Sequence, residues 1–129
     1  MEQNDNKEIE MELEGAIEIK AYDITPHIAK LATIEKVTTH YNSNFDSYYL
    51  MVKSVPVGYV NNDKEKPVTA SKIFGLIKQD GVFGWKKDGD LDLFLKSMEC
   101  SAPNGLIGKK VVMIPSKPNK DGVRFLSFN

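Results

Sequence analysis

Between Ala29 and Val55 the chain spells two β-forming runs around a polar turn, and nothing else in the sequence limits the fold so strongly. From Ala29 to Tyr41 it is rich in Thr, Ile and Val, whose branching at Cβ suits a pleated backbone. Asn42-Ser43-Asn44 supplies turn formers, and Ser47 to Val55 returns as the second run. The expected element is a long hairpin with Tyr41, Phe45, Tyr48 and Tyr49 gathered around its tip. Ahead of it, Ile9, Met11 and Leu13 alternate with Glu10, Glu12 and Glu14, and the alternation resumes at Ile17, Ile19 and Ala21. Period two means strand, so residues 9–23 read as an acidic N-terminal strand with a bulge or turn at Gly15, after a flexible start over residues 1–8. Thr25-Pro26 then interrupts the pattern, because the residue before proline is held extended.

Downstream, Pro56 ends the returning strand or confines it to an edge, and Asn61 to Pro67 is a polar loop. Val68 to Ala70 suggests a short strand. Ser71 reads as a cap, Ile73, Phe74 and Ile77 share one helical face, and Asp80-Gly81 closes the segment, which predicts a helix over Ser71 to Gln79. A second helix follows from Leu91, Phe94, Leu95 and Met98 at i, i+3, i+4 and i+7, with Asp90 and Asp92 in its first turn. Asp88, Asp90, Asp92 and Glu99 also match positions of a calcium loop. Leu93 stands where such a loop needs glycine, so capping carboxylates are the better account. Val111 to Ile114 is a strand, Pro118 to Gly122 a turn, and Val123, Phe125 and Phe128 belong to a closing strand.

With 129 residues, 41% apolar and 27% charged, the chain is of single-domain size and lacks the composition of a disordered, collagenous or coiled-coil protein. The apolar run from Val111 to Pro115 is far short of a membrane span, and the opening residues show no secretory pattern. One cysteine, Cys100, cannot form an internal disulfide, which suits a reducing, cytoplasmic setting. The charge of −1 hides an asymmetry. Met1 to Asp23 holds eight acidic residues against two basic, or −6, whereas Ile24 onward holds 15 basic against 10 acidic, or +5. A basic body of this kind points to an anionic partner. All but Arg124 of the basic residues are lysines, point charges that hold phosphates without reading fixed geometry.

Catalytic constellations are scarce. His27, His40 and Cys100 have no metal-ligand spacing and no local nucleophile pairing, and no glycine loop cradles a phosphate. The expectation is a protein with no cofactor, no metal and no enzymatic activity.

The stretch Leu106-Ile107-Gly108-Lys109-Lys110-Val111-Val112-Met113-Ile114, followed by Asn119-Lys120-Asp121-Gly122-Val123-Arg124-Phe125, resembles the ending of the small OB-fold single-stranded DNA-binding proteins of phages, archaeal viruses and plasmids. There an LxGK-type stretch leads the fourth strand, and a polar-Gly turn joins it to the fifth. The resemblance runs from Ala29 to Phe128 as an order of elements: long hairpin, variable middle with a core-facing helix, second hairpin. It implies a mainly β (α+β) fold, a small OB-like five-stranded barrel with one or two helices, here with the N-terminal strand as an addition. The implied function is binding of single-stranded DNA or RNA with low sequence preference, by lysine-phosphate contacts and aromatic stacking. On that template Tyr41, Phe45 and Tyr48 occupy one loop region, Lys117, Lys120 and Arg124 the other, and Lys53 lies between them on the second strand. Trp85 with Lys86 and Lys87 makes a second aromatic-basic cluster. Tyr48 and Tyr49 alternate faces, so one of the two belongs to the core.

A different class is open as well: a protein-interaction module or viral or plasmid accessory factor that uses its acidic N-terminal segment. The edge of the Ile9 to Leu13 strand could also be satisfied by a second copy, giving a homodimer.

Overall fold

The computed structural model describes residues 8–18 and 21–129. The expected hairpin is present as β1 (Leu31–Asn42) and β2 (Ser47–Ser54), paired antiparallel from Asn42 opposite Ser47 to Ile34 opposite Ser54. The register shifts between Ile34 and Lys36, and this bulge bends β1 so that it serves two partners. Its far end pairs with β2, while Leu31 to Thr33 pair with the later strand β7 (Lys110–Pro115).

The helix expected over Ser71 to Gln79 is instead a strand, β5 (Ser71–Gln79), antiparallel to β2 from Tyr48 opposite Leu76 to Lys53 opposite Ser71. Both of its faces carry apolar residues, Phe74 and Leu76 on one and Ile73 and Ile77 on the other. An apolar run of that kind fits a helical stripe and a two-sided strand equally well. Gly75 in its middle and β-branched Ile73 and Ile77 favour the strand. The remaining strands are a two-residue pair, β3 (Gly58–Tyr59) with β4 (Pro67–Val68), then β6 (Val82–Gly84) beside β5 and β8 (Leu126–Phe128) beside β7. Val123 and Phe125, expected in the closing strand, precede it.

The main sheet has six strands in the order β6-β5-β2-β1-β7-β8, every neighbouring pair antiparallel. β8 comes within 8 Å of β5 at Cα, yet no ladder joins the two, so the sheet curls without closing. The expected second helix forms as α1 (Asp90–Ser97) and lays Leu91, Phe94 and Leu95 on the concave face of the sheet. The Phe94 ring lies 5.3 Å from Phe74 and 5.8 Å from Phe128. With Ile34, Val52, Leu106 and Met113 these make one continuous core. Cys100 is half-buried against it. Fully buried Ser54 is satisfied locally: its hydroxyl donates to Val55 O at 2.8 Å and accepts from Ala70 N–H at 2.9 Å.

The expected strand of residues 9–23 does not form among the described residues. Glu8 to Glu18 makes no ladder, and Ile9, Met11, Leu13 and Ile17 are all exposed. Alternation gives a segment an apolar face but no partner edge, and a strand without a partner leaves its backbone unpaired. Most of the expected flexible start, and Ile19, lie outside the described residues. The Tyr22 hydroxyl is hydrogen-bonded to His27 Nε2 at 2.8 Å, and Ile24 packs against the core. No helix among the described residues is long and apolar enough to cross a membrane.

Candidate functional site

The alternation of side chains along β2 divides the sequence-predicted residues between two faces. Leu50, Val52 and Ser54 are buried on the inner, concave face, and Tyr48 shares it. Tyr49, Met51 and Lys53 point the other way. Directly across on β5, the outer face continues as Gly75, Ile73 and Ser71. Ile73 is 58% exposed, and the space above Gly75 is open. Tyr49 stacks on His40 of β1, ring centroids 5.1 Å apart and planes 19° from parallel, and Thr38 Oγ1 lies 2.8 Å from His40 Nε2.

At its β2-β5 end this outer face runs into a groove of about 570 Å³. Met51, Lys53 and Ser71 form the floor, the connection between β7 and β8 brings Arg124 and Phe125, and Tyr22 forms part of another wall. Each wall is held locally. Asn119 Oδ1 accepts from the backbone N–H groups of Asp121 (2.8 Å) and Val123 (3.0 Å), which shapes the turn. Ser116 Oγ accepts from Phe125 N–H at 2.9 Å, and Arg124 Nη1 donates to Ser116 O at 3.1 Å. Tyr22 needs Gly58 beside it, because a Cβ there would stand 2.5 Å from the Tyr22 hydroxyl and 3.5 Å from His27 Nε2.

Tyr41 and Tyr48 occupy the inner face, beyond the end of the core. They are cross-strand partners with centroids 4.9 Å apart. Phe83 of β6 meets Tyr48 edge-on at 4.8 Å, and Lys78 Nζ lies 5.2 Å from the Phe83 centroid. With Leu76 these rings line a recess of about 480 Å³. The Tyr41 hydroxyl donates to Asp46 Oδ1 at 2.8 Å, and this bond to a carboxylate raises the Tyr41 pKa above its ordinary value. Phe45 projects from the hairpin tip, 77% exposed. The expected convergence of Tyr41 and Tyr48 with Lys53 is therefore corrected: a strand shows one face at even spacing, and positions 48 and 53 differ by an odd number. Neither Tyr48 nor Tyr49 enters the core; both are half-buried.

Lys117 and Lys120 are exposed on the same connection as Arg124, and Lys86 and Lys87 are exposed in the turn ahead of α1. Trp85 serves the fold. It packs against the core, and its Nε1–H donates to Asp92 Oδ1 at 3.0 Å. Asp92 also accepts from Asp88 N–H at 2.9 Å and pairs with Lys96 at 3.0 Å. These partners, the Asp88 bond foremost, then Lys96 and Trp85, hold its carboxyl at about 2. Asp92, in the first turn of α1, thus secures the helix start. Among the described residues no three His, Cys, Asp or Glu side chains are gathered as metal ligands.

Sequence reasoning missed Tyr49, Met51, Ile73, Tyr22 and Phe125 on the outer side and Phe83 on the inner. The signal for the first two was present, since they share the parity of Lys53. No family model, curated protein or solved structure matches the chain.

Proposed function

We propose that this protein binds single-stranded nucleic acid, DNA or RNA, along the outer face of β2 and β5 and into the adjoining groove. The observation that carries the reading is the composition of that open face: the His40-Tyr49 ring pair, Met51 and Ile73 lead to Lys53 and Arg124, with Phe125 beside them. Bases stack on exposed rings, each worth about 1–3 kcal/mol, while cations follow the phosphates. Lys117 and Lys120 extend the cationic rim. With one arginine and otherwise lysines, sequence preference is low. The strand order supports an OB-like reading as well. A bent first strand shared by two partners, and a final strand that comes near β5 without pairing to it, are features that a five-stranded OB-like barrel left open along the β5-β8 seam would have, with β6 as an addition at its edge.

The test is fluorescence anisotropy of labelled single-stranded and duplex oligonucleotides over a range of salt. Single strands should bind more tightly than duplex. Tyr49→Ala should lose about 5- to 150-fold in affinity, the equivalent of one stack. Lys53→Ala and Arg124→Ala should each lower the salt slope by about 1. Absence of binding at low salt would overturn the proposal.

One observation favours an interaction module instead: residues 8–18 expose Ile9, Met11, Leu13 and Ile17 among five glutamates. Replacing Glu8, Glu10, Glu12, Glu14 and Glu18 by Gln separates the readings. A nucleic-acid binder keeps or gains affinity for oligonucleotides, whereas a module that docks a basic partner loses that partner.

A further inference from the structure

The inner-face recess lies across the sheet from the proposed nucleic-acid path, and its chemistry differs. Tyr41, Tyr48, Leu76 and Phe83 line it together with Thr39 and His40 of β1, so it offers rings at a tilt and edge-on with polar side chains of β1 along one side. A carboxylate stands at its margin: Asp46 adjoins it in a neighbouring hollow shared with Tyr48, Leu76 and Lys78. An anion in that place opposes a phosphate backbone and favours a partner that brings its own charges in pairs.

The same hairpin that carries the recess carries a knob shaped for one. Phe45 projects at the tip on a backbone held in place: Phe45 N–H donates to Asn42 O at 3.3 Å, Asn44 N–H to Asn42 Oδ1 at 3.0 Å, and the Tyr41 hydroxyl to Asp46. A ring presented this way loses little conformational freedom on insertion. Lys78 has no carboxylate within salt-bridge distance among the described residues, and Asp46 sits next to Phe45. An inserted tip therefore brings an acid toward an unpaired base.

We infer that two copies of this chain associate tip to tip about a twofold axis, each placing Phe45 in the other's Tyr41-Tyr48-Phe83 recess and Asp46 beside the other's Lys78. Knob and hole on one element make a self-complementary patch, as a twofold contact requires. The patch is one hairpin end, smaller than a standard interface, so the dimer is concentration-dependent. This contact does not rest on the single-strand reading; His40 alone borders both the recess and the proposed path.

Sedimentation velocity on the full chain tests it. The mass should rise from one chain at about 1 μM toward two at about 100 μM, the range of an undersized interface. Phe45→Ser and Phe83→Ser should each weaken association about 100-fold, because every dimer loses two ring contacts. Phe45 is exposed, so its variant should keep the parent's melting temperature, and a benzophenone side chain at position 45 should crosslink to Tyr48 or Phe83 of a second copy. A mass of one chain at every concentration overturns the proposal. So does a dimer that survives Phe45→Ser but disappears when Met1 to Glu14 is removed, which assigns pairing to the N-terminal segment. A monomer whose oligonucleotide affinity falls with Phe45→Ser also overturns it and assigns the recess to bases.

Discussion

β2 is one strand with two fates. On its inner side Leu50, Val52 and Ser54 are buried, the first two in the core to which α1 and β5 contribute Phe94 and Phe74 in contact. On its outer side Tyr49, Met51 and Lys53 meet only their neighbours in the sheet and the walls of an open groove. The backbone is shared, so what separates the faces is covering: a helix and a curled sheet bury one, and nothing among the described residues buries the other. Stability should accordingly reside in one set of alternate residues and binding in the other.

Adjacent residues on β5 separate the two faces most strongly. Phe74→Ala removes a buried ring in contact with Phe94, and urea denaturation should show a loss of about 3–5 kcal/mol. Ile73→Ala, one residue away on the exposed side, should cost under about 1 kcal/mol. Equal losses would mean that the outer face is covered in solution.

Ser54→Ala probes the sealed side without changing its shape much. The substitution strands the Ala70 N–H, which donates to Ser54 Oγ at a fully buried site, so about 1–3 kcal/mol should be lost. A neutral result in the same denaturation assay would indicate that water reaches this end of the core.

How much of this was legible in the sequence follows from the same two faces. The hairpin was readable because β1 is rich in β-branched residues, the returning strand carries the β-forming Tyr48, Tyr49 and Val52, and a polar turn lies between them. The helix was readable because Leu91, Phe94, Leu95 and Met98 have only one apolar stripe. β5 was not, since covering by α1 on one side and exposure of Ile73 and Ile77 on the other are facts of tertiary structure that its composition does not encode. The acidic start failed for the converse reason: alternation was clear, but a strand needs an edge to join. In the candidate site, Lys53 and Arg124 were placed by the resemblance to the OB template, which sets basic residues on the second strand and before the last. The aromatic partner of Lys53 was readable by parity as Tyr49, because Leu50 and Val52 mark the core side and assign Tyr48 to it. Phe83, Tyr22 and Phe125 were out of reach, since chain segments distant in sequence bring them to their sites.

On the outer side, Gly58→Ala acts on the groove wall. A methyl group 2.5 Å from the Tyr22 hydroxyl displaces the groove wall, with an expected loss of about 1–3 kcal/mol. Tyr22→Phe removes the clashing oxygen together with its hydrogen bond to His27, at about 0.5–1.5 kcal/mol. Because the hydroxyl is the obstacle, the double variant should be more stable than the sum of the single losses allows. Strict additivity would show that Tyr22 does not occupy this wall.

The smallest effect concerns the covering itself. Asp92 ties the start of α1 to Trp85 and to the Asp88 backbone, and its folded pKa of about 2 lies below the ordinary 3.8. A group depressed on folding stabilises the native state above its unfolded pKa and ceases to do so as pH falls through the folded value. The stability difference between the parent and Asp92→Asn should therefore be constant above about pH 5 and shrink between pH 4 and 2, because every other carboxylate titrates alike in both. Trp85 is the only tryptophan, so its fluorescence reports this contact directly in the same acid titration. A difference that stays flat down to pH 2 would detach Asp92 from the helix. A difference that shrinks while Trp85 becomes solvated would show that α1 is what keeps the inner face from resembling the outer one.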